Sequence, residues 1–379
     1  MSEKQKTLVA LGLVFETSKA AIAFLAHPTE SLDPSLDGSN LPLLHKDFLS
    51  LLSLLYASTT KLSLVLKPSS PSYTAALEPL KELSDRVAAL PHCVQLLQTN
   101  HGKTLAAEAN AITKDVLEAI KSLVQTFITI NAGGSASSGA AGDEYLMRTG
   151  TVHDVIDGAR GQDGFSGNNL VAIKKVWKRN QESLDDGIRE VHEIMEDAEK
   201  TGDELAEGVE DDFDDGWAEL GISPNAKPSA TELERIKKIY AIVRLSTLLH
   251  QRIFKDVLIS LSPSIPLTKE TNAVLDDIAD ASSEFLVLSD NLISTVYPPQ
   301  VPEHMSIELD GYQRQLSHLQ TKLRPLIPEA SIEEQLESLQ LSSVDRPPDH
   351  YTKLRKWYTA CFNQINKNVH ELERDLQGP

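Results

Sequence analysis

The chain has 379 residues, 55 of them Asp or Glu against 36 Lys or Arg, for a formal net charge of −19; apolar residues make up 41% and aromatics 5%. This is the composition of a globular chain with material for more than one core, not of a wholly disordered one, and so large an acidic excess disfavours nucleic acid and anionic membrane as main ligands. Two cysteines, Cys93 and Cys361, exclude a disulfide framework or a zinc-ligand spacing and point to a reducing compartment.

The N-terminal apolar run Leu8–Phe15 is followed at once by Glu16 and Lys19, with no small-residue cleavage site, so a signal peptide is not expected. Leu8, Leu11, Phe15, Ile22 and Leu25 repeat at helical spacing, with Ser18 filling the gap. Leu49–Leu66 is too rich in Ser and Thr, and carries Lys61, for a membrane span; it reads as a buried bundle helix. A third helix is predicted over Ser72–Asn100, kinked or split by Pro79 and Pro91, each of which removes an internal hydrogen bond. The strongest periodicity lies in Lys103–Asn131. Leu105, Ala109, Ile112, Val116, Ala119, Leu123, Phe127 and Ile130 alternate steps of four and three there.

Asn131–Gly142 reads NAGGSASSGAAG, a flexible linker by composition. A short glycine-rich region, Asp143–Gly167, precedes a long helix over Asn168–Thr201. An acidic stretch poor in apolar residues, Gly202–Pro228, follows. Further helices are expected at Ala230–Leu261, Lys269–Tyr297, Pro302–Leu323 and Pro348–Leu376, with a shorter one near Glu329–Leu341; proline pairs punctuate the joins. No stretch alternates with period two and no internal repeat emerges. The fold class is therefore all-α. Two antiparallel helix bundles, residues 1–201 (containing the linker 131–142) and 229–379, are joined by an acidic, partly disordered connector, 202–228. Between Glu182 and Glu219 there are 17 acidic and 2 basic residues, so most of the net charge sits on one helix end and this connector, and the two bundles are nearly neutral.

Four constellations could carry chemistry. Asp276, Asp277 and Asp280, spelled DDIAD, have the spacing with which all-helical isoprenoid synthases hold Mg²⁺ against a diphosphate. Such an enzyme also needs a second acidic motif and an aromatic cavity, and aromatics are scarce, so a solvated helix face is the favoured reading. Val171–Lys174 spells the VAIK of protein kinases, but on a helix and without HRD or DFG. Lys174, Lys175, Lys178 and Arg179 surround Trp177 in a compact basic strip, KKVWKR, while Asp211, Asp212, Asp214 and Asp215 form an acidic run that fails as an EF-hand loop because Phe213 falls at a ligand position. A nuclear-localisation or phosphate-contact role for the strip is weighed against the favoured reading, a basic surface edge on a helix whose other face buries Val176 and Trp177. Pairing of the strip with the acidic segment is the middle case, and these nine residues are the candidate partner contacts. No residues read as catalytic, cofactor-binding or metal-ligating. Cys361 shares a face with Leu354, Tyr358 and Ile365 and reads as a buried thiol.

Two tracts carry a resemblance. Arg148–Arg160, RTGTVHDVIDGAR, leads into the helix of Val176 and Trp177; Leu275–Pro299, LDDIADASSEFLVLSDNLISTVYPP, begins acidic and stops at Tyr-Pro-Pro. With the acidic connector, they resemble the cyclin-D-binding (GCIP-like) protein family. That resemblance implies an all-helical, non-enzymatic regulator of cell cycle and transcription, found in cytoplasm and nucleus. Its partners would be cyclins, adaptors or helix-loop-helix proteins, with no cofactor and no direct contact to nucleic acid or membrane. The alternatives are a structural bundle adaptor of the vinculin or talin type and, less favoured, the Mg²⁺-dependent prenyl-diphosphate enzyme using Asp276, Asp277 and Asp280.

Overall fold

The computed structural model describes residues 1–27, 40–131, 143–203, 228–261, 267–327 and 350–377. All regular secondary structure among them is helical: α1 (Glu3–Ala26), α2 (Leu41–Val65), α3 (Tyr73–Asn100), α4 (Lys103–Asn131), α5 (Glu144–Arg160), α6 (Asn169–Asp203), α7 (Ala230–Ile253), α8 (Lys269–Ser294), α9 (Pro302–Leu323) and α10 (His350–Leu376). A π-helical turn, Phe254–Leu258, extends α7. The 132–142 part of the linker, the connector residues 204–227 and the short helix expected near 329–341 lie outside the described residues.

The chain divides into two compact units, Met1–Ile173 with Pro266–Asp276, and Lys174–Ile265 with Asp277–Pro379. The all-α, two-bundle expectation holds, but the division falls elsewhere than residues 201 and 229. Most of α6 packs with the C-terminal helices, while the first turns of α8 belong to the first unit. The acidic segment therefore joins α6 to α7 within the residue range of the second unit and does not link one bundle to the other. Periodicity shows which face of a helix is buried but not which neighbour buries it, so the sequence could not place this boundary.

In the first unit, α2, α3, α4 and α5 form a ring in which each helix runs antiparallel to the next. Arg86 Nη1 donates to Leu54 O (3.2 Å) and Lys61 pairs with Glu82 (3.7 Å) between α2 and α3. Tyr73 OH donates to Asn131 Oδ1 (2.9 Å) between α3 and α4. The rings of Phe127 and Tyr145 lie 5.7 Å apart between α4 and α5, and Thr60 meets His153 at 3.0 Å to close the ring. α1 packs against α3 and α4 and runs parallel to α3: Thr7 Oγ1 donates to Tyr73 O (2.9 Å), and Thr17 sits 3.5 Å from Ser84. Its buried stripe is Thr7, Leu11, Val14, Ser18, Ala21 and Leu25, so Phe15 and Ile22 lie on the shoulder of the expected face.

α1 and α2 are long and apolar enough, by length and composition, to cross a membrane. For α2 this departs from the sequence reading, which weighed its Ser and Thr content as prohibitive. Those residues are accommodated inside the bundle. Thr59 Oγ1 donates to Leu55 O (2.9 Å), and Ser63 shares a 2.6 Å bond with Thr149. A hydroxyl bonded to a backbone carbonyl or to another hydroxyl loses the cost of burial. α3 runs through both Pro79 and Pro91 without splitting, and both prolines are buried against the core. The loss of about 3 kcal/mol that an interior proline brings is offset by the packing of Leu80, Leu83, Val87, Leu90 and Val94. The glycine-rich region holds a helix that its composition conceals. In α5, Tyr145, Thr149, Val152, Ile156 and Ala159 are buried at alternating steps, and Gly150 and Gly158 sit where no neighbour crowds them.

The second unit repeats the ring with α7, α8, α9 and α10. Gln300 N, just beyond α8, donates to Glu232 Oε1 at the start of α7 (2.8 Å), while His250 meets Ser282 farther along (2.8 Å), so α7 and α8 are antiparallel. Gln315 Nε2 donates to Ala281 O (2.9 Å) between α8 and α9. Lys238 pairs with Asp375, and the Arg252 guanidinium lies 4.8 Å over the Trp357 ring, between α7 and α10. α6 packs on α7 and α8, antiparallel to the first and parallel to the second.

Candidate functional site

The DDIAD carboxylates do not converge. Asp276 is 3% exposed and lies in the first unit. Its Oδ2 accepts from Lys103 N (2.7 Å), and its Oδ1 accepts from Thr104 N (3.0 Å), Thr104 Oγ1 (2.7 Å) and Asn169 Nδ2 (2.9 Å). Asn169 Oδ1 in turn accepts from Leu105 N (2.9 Å). Two side chains distant in sequence thus satisfy the first three N–H groups of α4, where residue 102, at the cap position, is a glycine and has no side chain to offer. That glycine is required: its φ is +100°, and a Cβ there would lie 2.2 Å from Asn169 Cγ. The favoured reading of Asp276 as part of a solvated face is corrected: it is a buried helix cap. Asp277 pairs with Lys322 in the second unit, and Asp280 is exposed. No group of three His, Cys, Asp or Glu that could hold a metal is found among the described residues. VAIK lies on α6 across the boundary of the two units, not on the strand a kinase lysine needs.

The KKVWKR strip separates into inside and outside. Trp177 is fully buried, which removes it from the candidate contacts as an exposed anchor. Its ring stacks on His250 at 4.2 Å and 13°, and its Nε1 donates to the His250 carbonyl at 3.0 Å. The column continues through Phe285, 6.2 Å from His250, to Tyr312, 5.3 Å from Phe285, so α6, α7, α8 and α9 each supply one ring. Lys174 and Lys175 are half-buried, with burial lowering the Lys174 pKa, while Lys178 and Arg179 face solvent and Lys178 reaches Glu182 at 4.0 Å. The strip is thus a partly exposed basic edge on a helix whose opposite face is core. The acidic partners Asp211, Asp212, Asp214 and Asp215 lie outside the described residues.

Behind Trp177 is a polar chain that no motif announced. Gln181 Nε2 donates to Asp185 Oδ1 (2.9 Å), so its Oε1 faces His250 Nδ1 at 2.7 Å and can only accept. This network assigns the proton to Nδ1, and Nε2 then accepts from Ser282 Oγ (2.8 Å), which itself accepts from Asn180 Nδ2 (3.0 Å). Burial holds the imidazole neutral, with its pKa depressed to about 3. Cys361 is buried as expected, 3.9 Å from Leu245 O, and burial lifts its thiol to about 11, far from the range of a reactive thiolate.

The polar chain ends at an open groove of about 500 Å³ between α6 and α7. Asp185 and Ile188 form one wall; Tyr240, Arg244, Leu245 and Leu248 form the other. Leu248 is 43% exposed, although the opposite face of α7 is packed with Ile236, Ile239, Val243 and Ile253. The only hint of this in the sequence is that α7 carries apolar residues on a second face. A separate groove of about 770 Å³ in the first unit, between α2 and α5, includes Leu64, Leu146 and His153. The α6–α7 groove mixes aliphatic and polar side chains, whereas the α2–α5 groove is lined mainly by polar ones, several of them bonded to each other, as Ser63 is to Thr149 and Thr60 to His153.

Fold and site together define the class: among the described residues, an all-helical protein of two bundles with open grooves between helices. More specifically, the chain belongs to the Grap2 and cyclin-D-interacting protein family. The N-terminal family description matches residues 47–197 and the C-terminal one residues 213–321. Among curated proteins it is similar to the cyclin-D1-binding protein 1 homolog of Xenopus laevis, 23% identical over 294 residues, covering 77% of this chain and 81% of that protein.

Proposed function

We propose that the chain is a non-catalytic regulator that docks helical segments of partner proteins, of the D-type cyclin, adaptor or helix-loop-helix kind, and so restrains cell-cycle progression and transcription in cytoplasm and nucleus. The observation that carries this reading is the family match, which runs from α2 to α9 and so takes in both helical units. The geometry supports it from the other side. The carboxylate set that an isoprenoid enzyme would need is divided between a helix cap and an ion pair, and among the described residues two helix-lined grooves offer concave surface for recognition. Affinity capture with the full chain as bait tests it. A D-type cyclin, or an adaptor or helix-loop-helix protein, should be retained at stoichiometric level, and recovery of none of the three kinds would defeat the reading. Nuclear and cytoplasmic fractions of cells expressing a tagged chain should both contain it.

A further inference from the structure

We propose that the α6–α7 groove is a direction-setting dock for a partner's amphipathic helix that carries an apolar stripe with basic side chains along one flank and acidic side chains along the other. The inference rests on the protein-interaction reading and names the surface and the partner chemistry within it. The groove offers Ile188 from α6 and, one helical turn apart on α7, Leu245 and Leu248, apolar side chains that a leucine-type stripe would cover. The two walls differ in sign. Asp185 stands exposed on α6 and Arg244 stands exposed on α7. A helix lying between them meets a carboxylate on one side and a guanidinium on the other, so only a partner with opposite charges on its two flanks satisfies both.

A third feature points to a ligand. Thr247 lines the same groove, is 3% exposed, and its hydroxyl has no hydrogen-bond partner among the described residues. Its neighbour Ser246 behaves as helical hydroxyls usually do and donates to Ile242 O (2.9 Å). An unpaired hydroxyl beneath an open groove is a group that a docked side chain or an ordered water can satisfy. The opposed walls also fix polarity. Turning the bound helix end for end exchanges its flanks, so one direction pairs the charges and the other opposes them.

Three synthetic helical peptides that share one leucine stripe test this with the full chain, by fluorescence anisotropy at about 0.15 M salt. One carries Lys on one flank and Glu on the other, one carries Lys on both, and one carries Glu on both. The wild type should bind the mixed peptide roughly five-fold more tightly than either single-sign peptide, as expected for exchanging one attractive surface pair for a repulsive one while the other pair is kept. Asp185→Lys should move the preference to the Glu peptide, and Arg244→Glu should move it to the Lys peptide. A switch of preference cannot arise from a misfolded variant. If no peptide binds, or if both variants keep the wild-type order, the proposal is overturned. Capture of a D-type cyclin by the wild type and both variants alike, with no peptide discrimination, leaves the broader reading standing and removes the groove. Peptide discrimination that follows the variants, with no cyclin, adaptor or helix-loop-helix protein captured, supports the groove and removes the broader reading.

Discussion

Replacing Asp276 with alanine separates a buried cap from a solvated acidic face, because the two assignments predict costs that differ several-fold. The carboxylate receives four donors at 2.7–3.0 Å in a site 3% exposed. Loss of a helix N-cap costs about 1–2 kcal/mol. Stranding the Lys103 and Thr104 amides away from water adds about 1–3 kcal/mol. The expected destabilisation is therefore about 3–4 kcal/mol for Asp276→Ala, and about half that for Asp276→Asn, which keeps the shape and loses the charge. Asp280→Ala, an exposed change one turn away, should stay within about 0.5 kcal/mol. Urea unfolding followed by far-ultraviolet circular dichroism measures the cost. Amide hydrogen exchange at Lys103 and Thr104 then locates it, since only loss of the cap accelerates exchange selectively at those two positions. An Asp276→Ala variant as stable as Asp280→Ala, with unchanged exchange at the start of α4, would refute the cap.

Other outcomes follow from the same geometry. Gly102→Ala places a Cβ 2.2 Å from Asn169 Cγ at a φ of +100°; it should cost about 2–4 kcal/mol in a thermal or urea melt, and less in an Asn169→Ala background, where only the backbone strain remains. The His250 imidazole is depressed to about 3, so below pH 6.5 the unfolded chain takes up a proton that the folded chain refuses. Stability complete above pH 6.5 is lost as the pH falls toward 3, by about 2 kcal/mol at pH 5. A urea series at pH 5 and pH 7 should show that slope, and His250→Gln should lack this part of it. Trp177→Phe keeps a ring on His250 but abandons its carbonyl, and should cost about 1–2 kcal/mol, whereas Trp177→Ala should cost about 3–5 kcal/mol and Lys178→Ala almost nothing. Equal effects of Trp177→Ala and Lys178→Ala on the melting temperature would contradict the burial of the indole.

What the sequence made legible was what periodicity and punctuation encode. The bounds of α9 and α4 coincide with those predicted, because long apolar stripes end at prolines or glycines there. α5 was lost because glycines on its outer face and in the loop after it dominate the local composition, while the short stripe Tyr145, Thr149, Val152, Ile156 and Ala159 was present all along. Asp276 was misread for a different reason. Its role is set by α4, whose own cap position holds a side-chain-free glycine, and a partner supplied from more than a hundred residues away leaves no local trace. The Trp177–His250 stack shares that origin. That Trp177 lies on the buried face of its helix could be read from the sequence, but not that another helix brings an imidazole to its ring. Grooves are the least legible of all, since they are made of what two helices leave uncovered.

The hydrogen-bond chain from Asp185 to Asn180 has an optical consequence. Trp177 reports on the imidazole 4.2 Å beneath it, and that imidazole is held at Nδ1 by Gln181, the same side chain that grips the groove carboxylate. Under the docking proposal, a ligand that draws Asp185 toward itself would loosen Gln181 and shift the environment of the indole. Trp177 would then serve as a built-in fluorophore for testing occupancy of the α6–α7 groove. In a chain whose other two tryptophans, Trp217 and Trp357, are changed to phenylalanine, partner binding can be followed as a change in emission, without a label on either molecule.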